Sequence, residues 1–232
     1  MRCDDPSPVV KSSRRNSHTS LFGSLKKNVF TAGLDLKELH APSTSKERLH
    51  EFWRCLASTL ISVYSSKLVT IAAIPGACPA GGCCLALCCD YRIITQDGSM
   101  GLNEVAIGIP VPTYWVRLMA SVVGQRRANY ILQTGAQTKA PQLLEMGMVD
   151  KVVETREAGM AAAEAEMAKW LKLPDAGRIA TKGELRGELT AAWTRGMEEE
   201  AAVVWECISQ KATSDFLGGV MARLSGKKKS KL

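Results

Sequence analysis

Two short loops of small residues in this sequence could bind a negatively charged oxygen. Residues 31–33 (TAG) follow the apolar pair Val29 and Phe30, and residues 74–84 (IPGACPAGGCC) end an apolar run at Gly81 and Gly82. The first backbone N–H groups of a helix have no partner within that helix, and they can hold an anionic oxygen. Two N–H donors from different loops are what an oxyanion hole requires. The glycine pair fits a close-packing role equally well.

A glutamate in an apolar loop is the candidate catalytic group. Glu104 lies in the stretch GLNEVAIGIP, with Leu102, Val105, Ile107 and Ile109 around it. An apolar setting disfavours the charged form of a carboxylate and raises its pKa, which suits a general base. A solvent-exposed loop glutamate is the alternative at this point.

Two further acids, Asp35 and Glu38, have the spacing of a helix capping box. Asp35 would be the N-cap of a helix that begins directly after Gly33. Local capping explains both acids without any catalytic role.

These loops are separated by segments with clear strand and helix patterns. Residues 46–66 have apolar side chains at helical spacing. The uncharged stretch 68–89 reads as a buried strand, a turn and a short buried helix rather than a membrane span, because prolines and glycines interrupt it. Residues 91–96 form the next predicted strand. Further helices are predicted over 114–123, 125–133, 140–146, 156–171 and 190–224. This order predicts an α/β domain with a helical end.

The charge of the chain lies mainly at its two ends. The 232 residues carry a formal charge of +7, of which +4 falls in residues 1–30 and +4 in the last six residues. Residues 31–226 therefore carry −1. A nucleic-acid surface needs basic residues grouped on the folded body, so we expect no nucleic-acid binding.

Eight cysteines and three histidines lack the spacing of a metal site. Most of the cysteines stand in apolar stretches, where free thiols act as small hydrophobic side chains. We therefore expect no metal, no disulfide framework and a reducing compartment.

Four motifs in this order resemble the crotonase superfamily, and within it the mitochondrial-type 3,2-trans-enoyl-CoA isomerase branch. They are FTAGLDL, IPGACPAGGCCLALCCDYRI, GLNEVAIGIP and LLEMGMVDKVV, and the resemblance covers about residues 20–224. It implies an α/β fold, a crotonase-like spiral of ββα units followed by a C-terminal helical region. About thirty atypical residues stand where such proteins have another unit, so the N-terminal unit is expected to be incomplete.

The resemblance also implies a domain organisation. Residues 1–19 would be a poorly ordered basic and Ser-rich tail, 20–153 the crotonase-like core, 154–224 a helical trimerisation region and 225–232 a basic tail. A homotrimer is the implied assembly.

The same resemblance assigns roles to residues of this chain. The backbone N–H groups of Leu34 and Gly81 would form the oxyanion hole, and Glu104 would be the catalytic base. Hydratases of the superfamily carry another glutamate where this chain has Cys84. The residues expected to bind the acyl-CoA substrate are Ala32, Gly33, Asp35, Leu36, Lys37, Gly82 and Asn103.

The implied reaction moves a 3-cis or 3-trans double bond of an acyl-CoA to the 2-trans position during beta-oxidation of unsaturated fatty acids. One glutamate suffices for this proton transfer, and no metal or separate cofactor is needed because coenzyme A arrives with the substrate. A hydratase or another enzyme of this fold is one alternative. A truncated, non-catalytic acyl-CoA-binding protein is another.

The chain ends in Ser230-Lys231-Leu232, the tripeptide read by the peroxisomal import receptor. We predict that a fluorescent protein fused ahead of the chain enters peroxisomes or related microbodies, and that deleting these three residues returns it to the cytosol. Fluorescence microscopy of the two fusions checks this, and unchanged puncta after the deletion would contradict it. The Arg- and Ser-containing start makes the mitochondrion the alternative location.

Overall fold

The computed structural model describes residues 18–26 and 28–229, which form eight strands, eight α-helices and two 3-10 helices. The strands are β1 (Thr19–Phe22), β2 (Asn28–Val29), β3 (Val69–Ile74), β4 (Gly76–Pro79), β5 (Tyr91–Thr95), β6 (Ser99–Gly101), β7 (Thr138–Lys139) and β8 (Lys151–Val153). The helices are α1 (Lys46–Tyr64), α2 (Gly81–Cys88), α3 (Thr113–Val123), α4 (Gln125–Thr134), α5 (Ala140–Glu145), α6 (Arg156–Trp170), α7 (Asp175–Ser209) and α8 (Lys211–Lys229). The 3-10 helices span Ala41–Ser43 and Glu104–Ile107.

The strands form two four-stranded sheets, and the first six strands alternate between them. One sheet has the order β1-β3-β5-β8 and is parallel throughout, whereas the other has the order β2-β4-β6-β7 with only the last pair antiparallel. A helix follows each of the first three strand pairs, so the chain repeats a ββα unit and winds as a spiral. The predicted α/β class and the helical C-terminal region are confirmed. Within the described part of the chain, β1 and β2 each pair on one side only.

The pattern of apolar residues explains the central elements. β3 (VTIAAI) is buried at every position, as expected for a parallel strand covered on both faces. The Ser45 side chain accepts a hydrogen bond from Arg48 N at 3.2 Å and caps α1. That helix buries the predicted apolar stripe that includes Phe52, Trp53 and Leu60.

α2 is buried along its whole length, so its C-terminal carbonyl groups need partners inside the protein. Arg186 Nη1 donates to the Cys88 carbonyl at 3.0 Å and to the Tyr64 carbonyl at the end of α1 at 2.8 Å. Arg92 Nη1 donates to the Cys89 carbonyl at 2.8 Å. The buried Asp90 carboxylate pairs with Arg186 at 2.9 Å and with Lys182 at 2.8 Å. These contacts fasten α7 across the ends of α1 and α2.

Two secondary-structure predictions are wrong. No helix begins after Gly33, because the Asp35 carboxylate accepts from the Lys37 N–H at 3.0 Å and closes a turn instead. The single helix predicted over 190–224 is two helices that are separated at Gln210, whose extended ψ of 134° interrupts the helical path. The first of them, α7, also begins earlier, at Asp175.

Several expectations concern composition and the chain ends. The cysteines within residues 18–229 are free thiols. Over the same residues, no cluster of three His, Cys, Asp or Glu side chains could hold a metal ion. None of the helices described above is long and apolar enough to cross a membrane. Most of the predicted 1–19 tail and the Ser230-Lys231-Leu232 signal lie outside the described residues.

Candidate active site

A cavity of about 290 Å³ opens between the first small-residue loop, the start of α2, the second 3-10 helix and the two C-terminal helices. Its polar lining comes from Asn103 and Glu104, and most of the remaining wall is apolar. The predicted residues Ala32, Leu34, Leu36, Asn103 and Glu104 all line it. The FTAGLDL loop and the GLNEVAIGIP loop, about 70 residues apart in sequence, therefore meet at one cavity.

Glu104 is a buried carboxylate without a hydrogen-bonding partner. The side chain is 4% exposed at the start of the second 3-10 helix, and neither carboxylate oxygen has a hydrogen bond within the described chain. Burial raises the pKa of Glu104 from 4.5 to about 7, and a smaller opposing contribution comes from its own backbone N–H. The alternative of a solvent-exposed glutamate does not hold. Near neutral pH, this carboxyl group can both take and return a proton.

A strained turn sets the start of α2. Ala80 has φ 52° and ψ −128°, a conformation that costs a side-chain-bearing residue about 1–3 kcal/mol. The turn is fixed where Ala80 N donates to the Gly101 carbonyl of β6 at 2.8 Å. Gly81 follows as the first residue of α2, and its N–H has no backbone acceptor among the described residues. This is the arrangement that leaves a backbone donor available to a ligand.

The two predicted oxyanion residues are neighbours. A Cβ atom added to Gly81 would lie 2.7 Å from Leu34 Cδ2, so the Leu34 side chain packs directly over this glycine. The described residues also supply no backbone acceptor for the Leu34 N–H. The structure therefore packs the Leu34 side chain against Gly81, and within the described residues neither backbone N–H has a backbone acceptor. Their role in binding oxygen stays a prediction.

The other predicted substrate-binding residues lie outside the cavity wall. Gly33 has φ 89°, and its N–H donates to Thr31 Oγ1 at 3.2 Å. A Cβ on Gly82 would overlap the Thr31 methyl group, so Gly82 serves the close packing of α2 against the loop. Asp35 and Lys37 form the turn described above, and the Lys37 side chain is exposed.

Cys84 is the residue that, according to the resemblance, replaces the additional glutamate of a hydratase. It is fully buried on α2 and does not line the cavity. Burial raises the pKa of the Cys84 thiol well above its usual value. Such a thiol stays neutral near pH 7 and cannot replace a carboxylate as an acid–base group.

Much of the apolar wall was missed from the sequence. Trp53 of α1 and Trp115 of α3 line the cavity as a stacked pair, with ring centroids 6.2 Å apart and planes inclined by 14°. Helical spacing predicted that Trp53 is buried, but not that it meets the site. The C-terminal helices complete the wall with Val204, Cys207, Ile208, Val220 and Leu224.

Comparisons with known proteins agree with this geometry. Residues 20–223 match the family model described as enoyl-CoA hydratase/isomerase. The chain is 32% identical to "Enoyl-CoA delta isomerase 1, mitochondrial" of Mus musculus over 86% of this chain and 69% of that protein. It is also 30% identical to "Crotonyl-CoA hydratase" of Syntrophomonas wolfei over 74% of this chain and 62% of that protein.

The fold is similar to a solved structure of human mitochondrial delta3-delta2-enoyl-CoA isomerase. The TM-score is 0.86 and the identity 31%, over 91% of this chain and 81% of that structure. The chain spans between 52% and 69% of the length of the mammalian isomerases that it matches.

Burial of Glu104 should make the fold less stable as the pH rises from about 4.5 to about 7. Between pH 4.5 and about 7 the unfolded state ionises Glu104 while the folded state keeps it protonated, so stability falls as pH rises through this window. Glu104→Gln cannot titrate. We predict that its free energy of unfolding, relative to that of the wild type, is up to about 3 kcal/mol higher at pH 8 than at pH 4.5. Urea unfolding at both pH values measures this difference.

Glu154→Gln, the same substitution at an exposed glutamate outside the cavity wall, is the matched control. A Glu104→Gln protein whose stability relative to the wild type is the same at both pH values would contradict the raised pKa.

Proposed function

Because the chain belongs to the enoyl-CoA hydratase/isomerase family, we propose that it is an enoyl-CoA isomerase acting on 3-cis or 3-trans enoyl-CoA. The product is the 2-trans enoyl-CoA formed during beta-oxidation of unsaturated fatty acids. The observation that carries this proposal is the single desolvated carboxylate of Glu104 in an otherwise uncharged cavity wall.

The proposed reaction is a proton transfer across three carbons. Glu104 removes a proton from carbon 2, and the electron pair of that C–H bond joins carbons 1 and 2 while the carbonyl pair moves to the thioester oxygen. When the carbonyl reforms, the pair between carbons 1 and 2 becomes the double bond between carbons 2 and 3. The original double bond between carbons 3 and 4 opens, and carbon 4 takes the proton back from Glu104. A raised pKa near 7 serves both halves, because the same group must accept and then donate the proton.

Charge develops on the thioester oxygen while the proton is on Glu104. The N–H groups of Leu34 and Gly81 would donate to that oxygen and stabilise the enolate. One such donor is typically worth about 3–4 kcal/mol in the transition state, so two donors lower the barrier substantially. Coenzyme A enters as part of the substrate, and the reaction as proposed needs no metal or separate cofactor.

A hydratase is the second candidate, and the Syntrophomonas wolfei relative named above favours it. Hydration must position and activate a water molecule as well as move a proton, and superfamily hydratases use two glutamates for this work. This chain places the buried thiol of Cys84 at the first of those positions. The missing carboxylate supports isomerisation over hydration. A non-catalytic acyl-CoA-binding protein would bind the substrate without turnover.

The proposed location rests on evidence that points in two directions. The terminal tripeptide Ser230-Lys231-Leu232 supports a peroxisome or related microbody. The mammalian isomerases to which the chain is similar are called mitochondrial, which supports the alternative. The localisation experiment described above distinguishes the two.

We predict a homotrimer that is held partly by the C-terminal helices. Helical spacing predicts that six apolar residues of these helices are covered, and they are Val203, Val204, Ile208, Phe216, Leu217 and Val220. Of these, Val204, Ile208 and Leu217 are buried within the chain itself. Val203 and Phe216 are about half exposed, which leaves apolar surface for a neighbouring subunit. Multi-angle light scattering should give the mass of three chains at micromolar concentration, and a monomer mass would contradict the trimer.

Replacing the proposed base should abolish turnover without abolishing binding. Glu104→Gln keeps the shape of the side chain but cannot take up a proton, so we expect the isomerase kcat to fall by about 10²–10⁴-fold. Affinity for a saturated acyl-CoA should stay within a few-fold of the wild type. A spectrophotometric assay with a 3-enoyl-CoA and titration calorimetry measure the two quantities.

Cys84→Ala is the matched control and should retain most of the turnover, because its thiol lies outside the cavity wall. The wild-type rate should also rise with pH up to about 7, as Glu104 loses its proton. Retention of more than a small fraction of the rate in Glu104→Gln would refute the assigned base. Loss of activity in a folded Cys84→Ala protein would reveal a second catalytic group.

A further inference from the structure

Another buried carboxylate, that of Glu200, lies behind the cavity wall on α7. Glu200 is 6% exposed, and each of its oxygens accepts a hydrogen bond from a different element. Oε2 accepts from Trp53 Nε1 of α1 at 3.1 Å, and Oε1 accepts from the Tyr114 backbone N–H of α3 at 3.0 Å. Glu200 does not line the cavity, so it has no direct part in the proposed proton transfer.

The two donors belong to the helices that carry the stacked tryptophans. Trp53 is itself one ring of the pair, and Tyr114 directly precedes Trp115, the other ring. The Trp115 ring also reaches the proposed oxyanion residue, since a Cβ on Gly81 would lie 3.4 Å from Trp115 Cη2. A continuous series of contacts therefore runs from Glu200 through the tryptophan pair to Gly81.

Glu200 also replaces a missing helix cap. The N-cap position of α3 is Pro112, which provides no side-chain hydrogen bond. A carboxylate at the N-terminus of a helix both accepts an unpaired N–H and interacts favourably with the helix dipole. Burial raises the pKa of Glu200. The N–H groups that face it lower the pKa, first those of the Tyr114 backbone and the Trp53 indole and then those of the Trp193 indole and the Thr113 backbone. Both oxygens are needed, because each donor would otherwise be buried without a partner.

We propose that Glu200 is a positioning residue that fixes the Trp53–Trp115 wall and thereby holds Gly81 where its N–H meets the thioester oxygen. This inference rests on the proposed isomerase function and adds to it a residue that acts without touching the substrate. It distinguishes Glu200 from a residue that only packs α7 against the core, because it predicts a loss in kcat rather than a general loss of stability.

The test uses Glu200→Gln in the full chain. A glutamine side chain has one acceptor oxygen in place of two, so either the Trp53 indole or the Tyr114 N–H faces an amide NH₂ group. We expect kcat with a 3-enoyl-CoA to fall about tenfold or more, the effect of one unpaired buried donor. The dissociation constant for octanoyl-CoA, a saturated probe that cannot react, should change less than about threefold.

A compensating substitution makes this assignment specific. Trp53→Phe keeps an aromatic ring but removes the indole N–H, so in the double variant the single amide oxygen introduced by Glu200→Gln can serve the Tyr114 N–H alone. Relative to Trp53→Phe, the double variant should lose less than about twofold in kcat, which is strong coupling in a double-mutant cycle. Glu199→Gln, an exposed neighbour on α7, is the control and should leave kcat unchanged.

The near-ultraviolet circular dichroism of the tryptophans gives a readout that does not depend on turnover. Glu200→Gln should change this spectrum while the far-ultraviolet spectrum stays the same. If wild-type protein fails to turn over any 3-enoyl-CoA, the proposed function is refuted, and the spectrum still tests whether Glu200 fixes the wall. An unchanged spectrum, or equal losses of kcat with and without the Trp53 indole, would overturn the positioning role.

Discussion

The architecture depends on a short buried helix, α2, which needs hydrogen-bond acceptors at its N-terminal end and donors at its C-terminal end. α2 leaves unpaired carbonyl groups at one end and unpaired N–H groups at the other, and neither end reaches solvent. At the C-terminal end, Arg92 and Arg186 supply the missing donors, which is why α7 must cross behind the helix. At the N-terminal end, the Gly81 N–H has no backbone acceptor in the described chain. It is therefore the donor that the proposed mechanism assigns to the thioester oxygen. One end stabilises the fold and the other provides the site.

The same division between stability and function appears at Glu104. An apolar wall drawn from α1, α3, α7 and α8 removes water from this carboxyl group, and the energetic cost of ionising it there is what raises its pKa. The strained backbone of Ala80 also lowers the free energy of unfolding, in addition to the effect of burying Glu104. Both costs are offset by the extensive apolar packing around β3 and α2, whose residues are all buried. Active sites are commonly places where local stability is given up in this way.

The sequence predicted the parts of the site that depend on local pattern. Apolar runs located β3, α2 and β5. The small-residue loops indicated two places where backbone donors could be available, and only the family resemblance singled out Leu34 and Gly81 within them. The turn at Asp35 was mistaken for a helix cap because the same carboxylate can close either structure. The tryptophan wall and Glu200 could not be predicted, because Trp53 and Glu200 are 147 residues apart in sequence and no periodicity records such a contact.

The cavity wall begins at Ala32 and is completed only by Leu224 of α8. During synthesis on the ribosome, the ββα units can therefore fold one after another while the binding site is still open on its C-terminal side. The proposed acyl-CoA substrate would contact the complete wall only after α8 has packed. Because a ligand stabilises the state that binds it, substrate would favour the last docking step and protect the C-terminal helices from proteolysis. Supply of acyl-CoA would thus affect the lifetime of the protein as well as its rate of turnover.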